Sequence, residues 1–190
     1  MKKIWQSALV AVLLGGSLIY ADTNIYVGVD YAKASNTNTH EMGSSSIDKS
    51  NDFSDLSFKV GAGENGGLKA QLRFDIINYD EGVFDRNNNA LVEIGLDVIK
   101  EFQVNQSFFP FIKLGIGVGS MDVEGYSESA ISEISFNAGV GISYKALEHL
   151  YVMGGVDYVG RSWQDISYLN STISTTSSGT KLYLGVNYAF

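Results

Sequence analysis

Apolar and polar side chains alternate along residues 182–190, which end the chain. One face of this segment is apolar throughout and includes Tyr188 and the terminal Phe190. A period of two residues is typical of a β-strand with one apolar side. The segment is therefore predicted to be a strand that buries or covers one face.

The same alternation recurs along the chain and predicts eight strands, at residues 24–33, 55–63, 68–79, 90–102, 108–120, 132–145, 150–163 and 180–190. The connections at 34–54, 80–89, 121–131 and 164–179 are long and polar, whereas those between them are tight turns. Long and short connections alternate in this way in up-and-down barrels of the outer membrane, with short periplasmic turns and longer external loops. The predicted fold class is all-β: an eight-stranded antiparallel up-and-down transmembrane β-barrel.

The two faces of these strands differ in composition. One face is largely apolar, with no charge at 39 strand positions, and the other carries most of the strand glycines and eleven charged residues: Asp30, Lys59, Lys69, Arg73, Asp75, Glu93, Asp97, Lys113, Asp157, Arg161 and Lys181. Glycine weakens a strand that faces water, but the narrow interior of an eight-stranded barrel needs small residues. The charged face is therefore predicted to line the lumen and the apolar face to meet lipid; the alternative is a soluble, lipocalin-like barrel with its apolar face inward.

Two features of the barrel follow from these faces. Six of the lumen charges are basic and five acidic, which predicts ion pairs that plug the lumen, because unpaired charges there are costly. The alternative is a gated ion path that opens when a pair changes partner. Aromatic residues near strand ends are expected to form girdles at the two membrane interfaces: Tyr31, Tyr79, Phe102, Phe108, Tyr144, Tyr158, Tyr188 and Phe190.

The N-terminus has the composition of a secretory signal. Lys2 and Lys3 precede an apolar run at residues 8–14 and a small residue at Ala21. We predict removal of residues 1–21, which leaves residues 22–190 as one barrel domain. A retained anchor is disfavoured, since the run is shorter than the roughly 20 residues of a membrane helix. The chain has no Cys, which excludes disulfides, thiol chemistry and a lipid-modified cysteine.

The chain is acidic, with a net charge of −8, which disfavours nucleic acid as a partner. Most of the acidic residues lie in the predicted external loops: Glu41, Asp48, Asp52, Asp80, Glu81, Asp85, Asp122, Glu124, Glu128 and Asp165. The basic residues of these loops are Lys49 and Arg86. These carboxylates are either a solvated surface or a means of bridging divalent cations to lipopolysaccharide phosphates. Four loop aromatics either contact a surface partner or rest on the barrel rim: Phe84, Tyr126, Trp163 and Tyr168.

Few residues suggest catalysis or cofactor binding. Residues 61–66 match the glycine fingerprint of dinucleotide-binding proteins, but the segment that follows has a period of two, so no helix is available for a pyrophosphate. His149 falls in a periplasmic turn. His40 lies in the first external loop near Glu41, Asp48 and several serines, which leaves a lipid hydrolase or acyltransferase as a weak alternative. We expect no catalytic residues, no cofactor and no metal.

The signal, the eight strands, the alternating loop lengths and the Tyr188–Phe190 ending together resemble small outer-membrane barrels of the OmpA-transmembrane, outer-membrane-protein-X and opacity-protein type. The resemblance implies a Gram-negative outer membrane, with lipid and lipopolysaccharide around the barrel. It also implies that Tyr188 and Phe190 form the signal read by the barrel-assembly machinery. The expected role is structural or adhesin-like, through four external loops and a possible surface partner. A small-solute channel is the second interpretation, and a lipid-modifying enzyme the third.

Overall fold

The computed structural model describes residues 23–126, 128–168 and 171–190. The predicted signal peptide, residues 1–21, lies outside the described residues. The described residues form ten strands: β1 Asn24–Met42, β2 Ser45–Ser50, β3 Phe53–Gly63, β4 Leu68–Tyr79, β5 Ala90–Glu101, β6 Phe108–Asp122, β7 Ala130–Lys145, β8 Leu150–Trp163, β9 Ile166–Tyr168 and β10 Ser171–Ala189. No helix among the described residues is long and apolar enough to cross a membrane.

Eight of the strands close into a barrel. Each pairs antiparallel with its neighbours in the order β1, β3, β4, β5, β6, β7, β8 and β10. β10 pairs back onto β1, from Tyr26 opposite Ala189 to Met42 opposite Ile173. The Phe190 amide continues this seam by donating to the Ile25 carbonyl at 2.9 Å. The predicted fold class, an all-β eight-stranded antiparallel barrel, is confirmed.

The faces of the strands are also as predicted. Apolar side chains point outward, with Ile94 55 % and Leu184 71 % exposed, while the charged face is buried inside. This orientation excludes the lipocalin-like alternative. One girdle assignment is wrong: Tyr79 is only 1 % exposed. It lies an even number of residues from Arg73 and therefore shares the inward face of β4.

The external strands extend further than the sequence predicts. β1 continues to Met42 and turns back as β2, and β10 begins at Ser171 after the short β9, so much of the predicted loops 34–54 and 164–179 is strand. We call residues 35–42 of β1, all of β2 and β9, and residues 171–179 of β10 the external extension. It is rich in Thr, Ser and Asn. Its strands pair in the order β2, β1, β10, β9.

The external extension forms strands without apolar alternation. Above the bilayer no face has to meet lipid, so the pattern that identifies the wall strands disappears. Extended backbone is instead favoured by β-branched threonines such as Thr37, Thr39 and Thr176. Gly43, with a φ of 61°, supplies the left-handed residue in the turn between β1 and β2.

Candidate functional site: the lumen and the external end of the barrel

All eleven predicted lumen residues face inward and are buried, from Asp75 at 0 % exposure to Lys69 at 9 %. Three further carboxylates, Asp55, Glu101 and Glu133, line the lumen at 4 % exposure or less. None of the three is among the eleven predicted lumen residues, although each continues the inward phase of its strand. With these three, the described lumen holds six basic and eight acidic side chains instead of a near balance.

Three ion pairs occupy the periplasmic end and the middle of the lumen. Lys69 contacts Glu101 at 2.8 Å, on neighbouring strands β4 and β5. Lys59 contacts Asp30 at 2.6 Å, and Lys113 reaches Asp157 at 2.7 Å. The Lys113 ammonium also lies 4.2 Å from the ring centroid of Tyr183, which adds a cation–π contact.

Arg73 is the centre of a larger network. Its guanidinium pairs with Asp75, with Glu93 at 2.7 Å and with Asp97 at 3.3 Å. Arg161 lies 3.4 Å from the other oxygen of Glu93, so one carboxylate joins two guanidinium groups. The network needs a strand surface beneath it that is free of side chains.

Glycine provides that surface on β5 and β6. A Cβ at Gly95 would meet the guanidinium carbon of Arg73, and one at Gly115 would meet the carboxylate of Asp97. Small residues on the inward face therefore make room for the ion pairs. A further pair, Lys181 with Asp55 at 3.0 Å, spans from β10 to β3 near the external side.

The open space among these charged side chains is small. A central cavity of about 10 Å³ is lined by Asp30, Lys59, Arg73, Asp97, Lys113, Lys181 and their neighbours. A second cavity of about 10 Å³ lies at the periplasmic end, between Tyr26, Lys69 and Tyr151. Each has room for about one water molecule.

The external end of the lumen is filled by apolar side chains instead of charges. We call this cluster the apolar cap; its buried members are Ala34, Phe53, Ile77, Tyr79, Val83, Leu91, Met121, Val123, Ile131, Trp163 and Ile166. Trp163 is 4 % exposed, and its indole N–H donates to Ser177 at 2.8 Å. The cap was not predicted, because these residues are apolar on a face that is otherwise charged.

The loop aromatics belong to this cap. Phe84 and Tyr126 are partly buried and pack against it, and the ring centroids of Phe84 and Trp163 lie 5.1 Å apart. Of the two interpretations of these residues, the structure favours packing at the barrel rim for Phe84, Tyr126 and Trp163. The side chain of Tyr168 lies outside the described residues.

Asp85 joins the second and third external loops. One of its carboxylate oxygens accepts the backbone amides of Asn87 at 2.7 Å and Asn88 at 2.8 Å; the other accepts the Glu124 amide at 2.8 Å. Partial burial by itself raises the pKa of the Asp85 carboxyl, but these hydrogen bonds outweigh it and lower the pKa to about 2. We call this arrangement the Asp85 latch.

The two histidines are placed apart. His40 Nδ1 lies 3.0 Å from the Thr175 hydroxyl, while Asp48 instead accepts a hydrogen bond from Thr39 at 2.7 Å. The carboxylate that the hydrolase interpretation would use is therefore engaged elsewhere. His149 is exposed in the turn before β8, with Nδ1 2.9 Å from the Ala189 carbonyl oxygen.

Neither a metal cluster nor a nucleotide-binding turn is found where the structure describes the chain. No group of three or more His, Asp or Glu side chains is placed to hold a metal ion among residues 23–126, 128–168 and 171–190. The glycine fingerprint at residues 61–66 ends β3 and enters the turn before β4, so it has strands on both sides.

The terminal aromatics lie together at the periplasmic rim. The rings of Tyr188 and Phe190 are 5.2 Å apart and packed edge to face. Both side chains are exposed, at 46 % and 69 %. Their role as an assembly signal stays a prediction.

Comparisons with known proteins give a family and a fold. A family model described as an outer membrane protein beta-barrel domain matches residues 7–190. Among solved structures, Neisserial surface protein A is 19 % identical with a TM-score of 0.53, over 87 % of this chain and 97 % of that one. OprG of Pseudomonas aeruginosa is 10 % identical with a TM-score of 0.52, over 88 % and 95 %. At these identities the likeness shows the fold alone. No curated protein sequence matches the chain significantly.

Proposed function

Because the chain belongs to the outer membrane protein β-barrel family and is thus a Gram-negative outer-membrane protein, we propose that it is a structural or surface-interaction protein that acts through its external end. In this proposal the lumen is closed to solutes by charged pairs, and the protein has no enzymatic activity. The observation that carries the proposal is the external extension, which projects four paired strands beyond the wall of the barrel.

The chemistry of the external end supports an interaction role. All six residues of β2 are exposed, and Ile47 beside Asp48 and Lys49 is 68 % exposed. Met42, at the neighbouring turn, is 48 % exposed. Apolar side chains set among charges on a projecting hairpin are suited to contact a partner, whereas a barrel that only spanned the membrane would need no such hairpin.

The packing of the lumen supports closure. Every described lysine and arginine of the lumen contacts a carboxylate, and the apolar cap covers the external end. A conducting path would need a continuous wet channel, whereas the central and periplasmic cavities described above have about 10 Å³ each, the size of single waters. We therefore rank a small-solute channel below the interaction role.

Conductance tests this closure directly. Purified barrel inserted into a planar lipid bilayer is expected to give no steady current at neutral pH. Repeated single-channel steps from the wild-type protein would contradict closure and favour the channel.

The interaction role is tested by removing the hairpin and keeping the barrel. Asn38 and Lys49 face each other in the ladder, so residues 39–48 can be replaced by Asn-Gly, a two-residue hairpin turn. Bacteria that express this variant should lose adhesion to epithelial cells. The matched control, Glu41→Gln with Asp48→Asn, keeps the hairpin and separates its shape from its charge.

Folding must be checked in the same samples. A change in electrophoretic mobility between boiled and unboiled protein reports an intact barrel. Undiminished adhesion by a folded hairpin-less variant would count against the proposal.

Two partners of the barrel follow from the same proposal. Lipid and lipopolysaccharide surround the apolar outward face, and the barrel-assembly machinery reads the terminal aromatics. Phe190→Ala is then expected to slow the appearance of heat-modifiable barrel in the outer membrane, with Tyr144→Ala, an exposed outward aromatic away from the terminus, as the control.

A further inference from the structure

Among the described lumen carboxylates, Glu133 is the one that contacts no lysine or arginine. It points inward from β7, opposite Gly119 on β6 and Trp163 on β8, and is 2 % exposed. Neither of its carboxylate oxygens has a hydrogen-bond donor among the described residues. The other lumen carboxylates each contact a lysine or arginine: Asp30, Asp55, Asp75, Glu93, Asp97, Glu101 and Asp157.

Its acidic neighbour is Glu93. The two carboxylates lie over successive inward glycines of β6: Glu133 is the side chain that a Cβ at Gly119 would meet, and Glu93 the one that a Cβ at Gly117 would meet. Two inward positions of one strand are about 7 Å apart, and both side chains reach into the space between them. The pair therefore places two acids close together in a buried site.

The charged groups around this pair favour Glu93 as the ionised member. Arg73 contacts Glu93 at 2.7 Å, Arg161 approaches it at 3.4 Å, and the Ser135 hydroxyl donates to it at 2.8 Å. Glu133 has none of these three contacts. The titratable groups that face the site from the surrounding elements are Asp55 of β3, Arg73 and Tyr79 of β4, Glu93 of β5, Arg161 of β8 and Lys181 of β10. Gly117 and Gly119, the β6 residues beneath the two carboxylates, carry no titratable group.

A second ionised carboxylate here would be costly for two reasons. It would be buried without a hydrogen-bond donor, and it would repel Glu93. A proton on one of the two acids removes both costs, because the protonated carboxyl becomes a donor for the other. The excess of eight acids over six bases in the described lumen points in the same direction.

We propose that Glu133 and Glu93 form a proton-binding site in which Glu133 holds the proton at neutral pH and donates it in a hydrogen bond to the Glu93 carboxylate. The site binds one proton from solvent reversibly, and no other bond is made or broken. It lies directly beneath the apolar cap, because Trp163 is the ladder partner of Glu133. Loss of the proton would place an uncompensated negative charge against the cap and loosen it.

Infrared spectroscopy of the wild-type protein can detect the protonated carboxyl of this site directly. A protonated carboxylic acid has a carbonyl stretch separate from that of a carboxylate. The folded wild-type barrel in detergent micelles at neutral pH should show this band. Glu133→Gln should abolish it, and Glu101→Gln should leave it unchanged. Glu101 is the matched control, since it is equally buried but paired with Lys69 at 2.8 Å.

Trp163 provides a second readout. The chain has two tryptophans, and the other, Trp5, lies in the predicted signal peptide. Fluorescence of barrel refolded from residue 22 onward therefore reports the apolar cap. Raising the pH from neutral to mildly alkaline, below the range in which tyrosines ionise, should shift the wild-type emission toward longer wavelength, and in Glu133→Gln this transition should be absent.

The outcomes are distinct. Absence of the protonated carbonyl band from wild-type protein at neutral pH, or its survival in folded Glu133→Gln, would overturn the proposal. Absence of the band from wild-type protein overturns the proposal even if Glu133→Gln does not fold. An emission transition that persists in Glu133→Gln would likewise count against coupling of this site to the cap.

Discussion

The wall of the barrel and the external extension share strands β1 and β10 but are stabilised differently. In the wall, β1 and β10 present apolar side chains outward and bury ion pairs inward. Beyond residue 35 the same β1 carries Thr37, Thr39 and Glu41 on its outward face and Asn36 and Asn38 on its inward face. One strand thus changes its chemistry where its surroundings change from lipid to water.

Ion pairs differ between the two regions in the same way. Arg73 of the wall is buried and shared among three carboxylates, whereas Lys49 of the extension contacts Glu81 at 2.7 Å in an exposed pair. Water and salt screen the exposed pair, but nothing replaces the buried one when it is broken. The comparison shows that a short distance alone does not measure the contribution of an ion pair.

Arg73→Met should therefore have the largest effect. It leaves Asp75 and Asp97 without their guanidinium partner in a buried site, and Glu93 with Arg161 alone. Removal of one member of a buried pair costs about 3–5 kcal/mol. Unfolding by urea in lipid vesicles, followed by the loss of heat-modifiability, measures this cost.

Lys49→Met is the control for that measurement. The same replacement in the exposed pair is expected to leave the urea midpoint almost unchanged. Equal losses in the two variants would contradict the distinction between buried and exposed pairs.

The outward faces of the two regions give a second, smaller contrast. Ile94 lies near the middle of β5 and points outward, where the apolar face should meet the bilayer core. Ile94→Arg should cost about 2–4 kcal/mol in the free energy of unfolding in lipid vesicles, because an arginine near the midplane has to be desolvated.

Ile47→Arg is its counterpart in the external extension. Ile47 is 68 % exposed on β2, beyond the wall strands, so an arginine there stays in water. The urea midpoint of this variant should equal that of the wild type. If Ile94→Arg is tolerated as well as Ile47→Arg, the assignment of the lipid-facing side of β5 is wrong.

The sequence predicts the wall better than the external extension, and the reason is again the difference in their surroundings. Lipid on one side and a narrow lumen on the other impose a period of two on the wall, so the strand positions, the faces and the eleven lumen charges were predictable. The same period of two, extended to the ends of the predicted strands, would also have predicted Asp55, Glu101 and Glu133 as lumen residues. The partner of Asp55 was not predictable, because Lys181 reaches Asp55 across the seam between distant parts of the chain.

The external end lacks those constraints. Thr and Ser there are compatible with both loop and strand, and the pairing of Thr39 with Thr176 joins residues far apart in sequence. The apolar cap was hidden for a different reason. Leu91, Ile131 and Trp163 lie at strand ends, where an inward apolar residue interrupts the alternation instead of continuing it.

The Asp85 latch gives the smallest expected effect and tests the external end alone. Asp85→Ala removes four hydrogen bonds to one carboxylate but touches no wall residue. Because the site is largely solvated, the cost is about 1 kcal/mol, confined to the second and third external loops. Faster hydrogen exchange of the Asn88 and Glu124 amides, with unchanged exchange in β5, would measure it.

The latch also has a defined pH dependence. A carboxylate whose pKa is lowered on folding contributes its full stability above the unfolded pKa of about 4 and loses it as the pH falls through the folded value. For Asp85 that value is about 2. Exchange at Asn88 and Glu124, corrected for its intrinsic pH dependence, should therefore stay slow down to about pH 4, rise progressively below it and level off only below about pH 2. A rise already complete at about pH 4 would mean that the carboxylate is not held by these amides in solution.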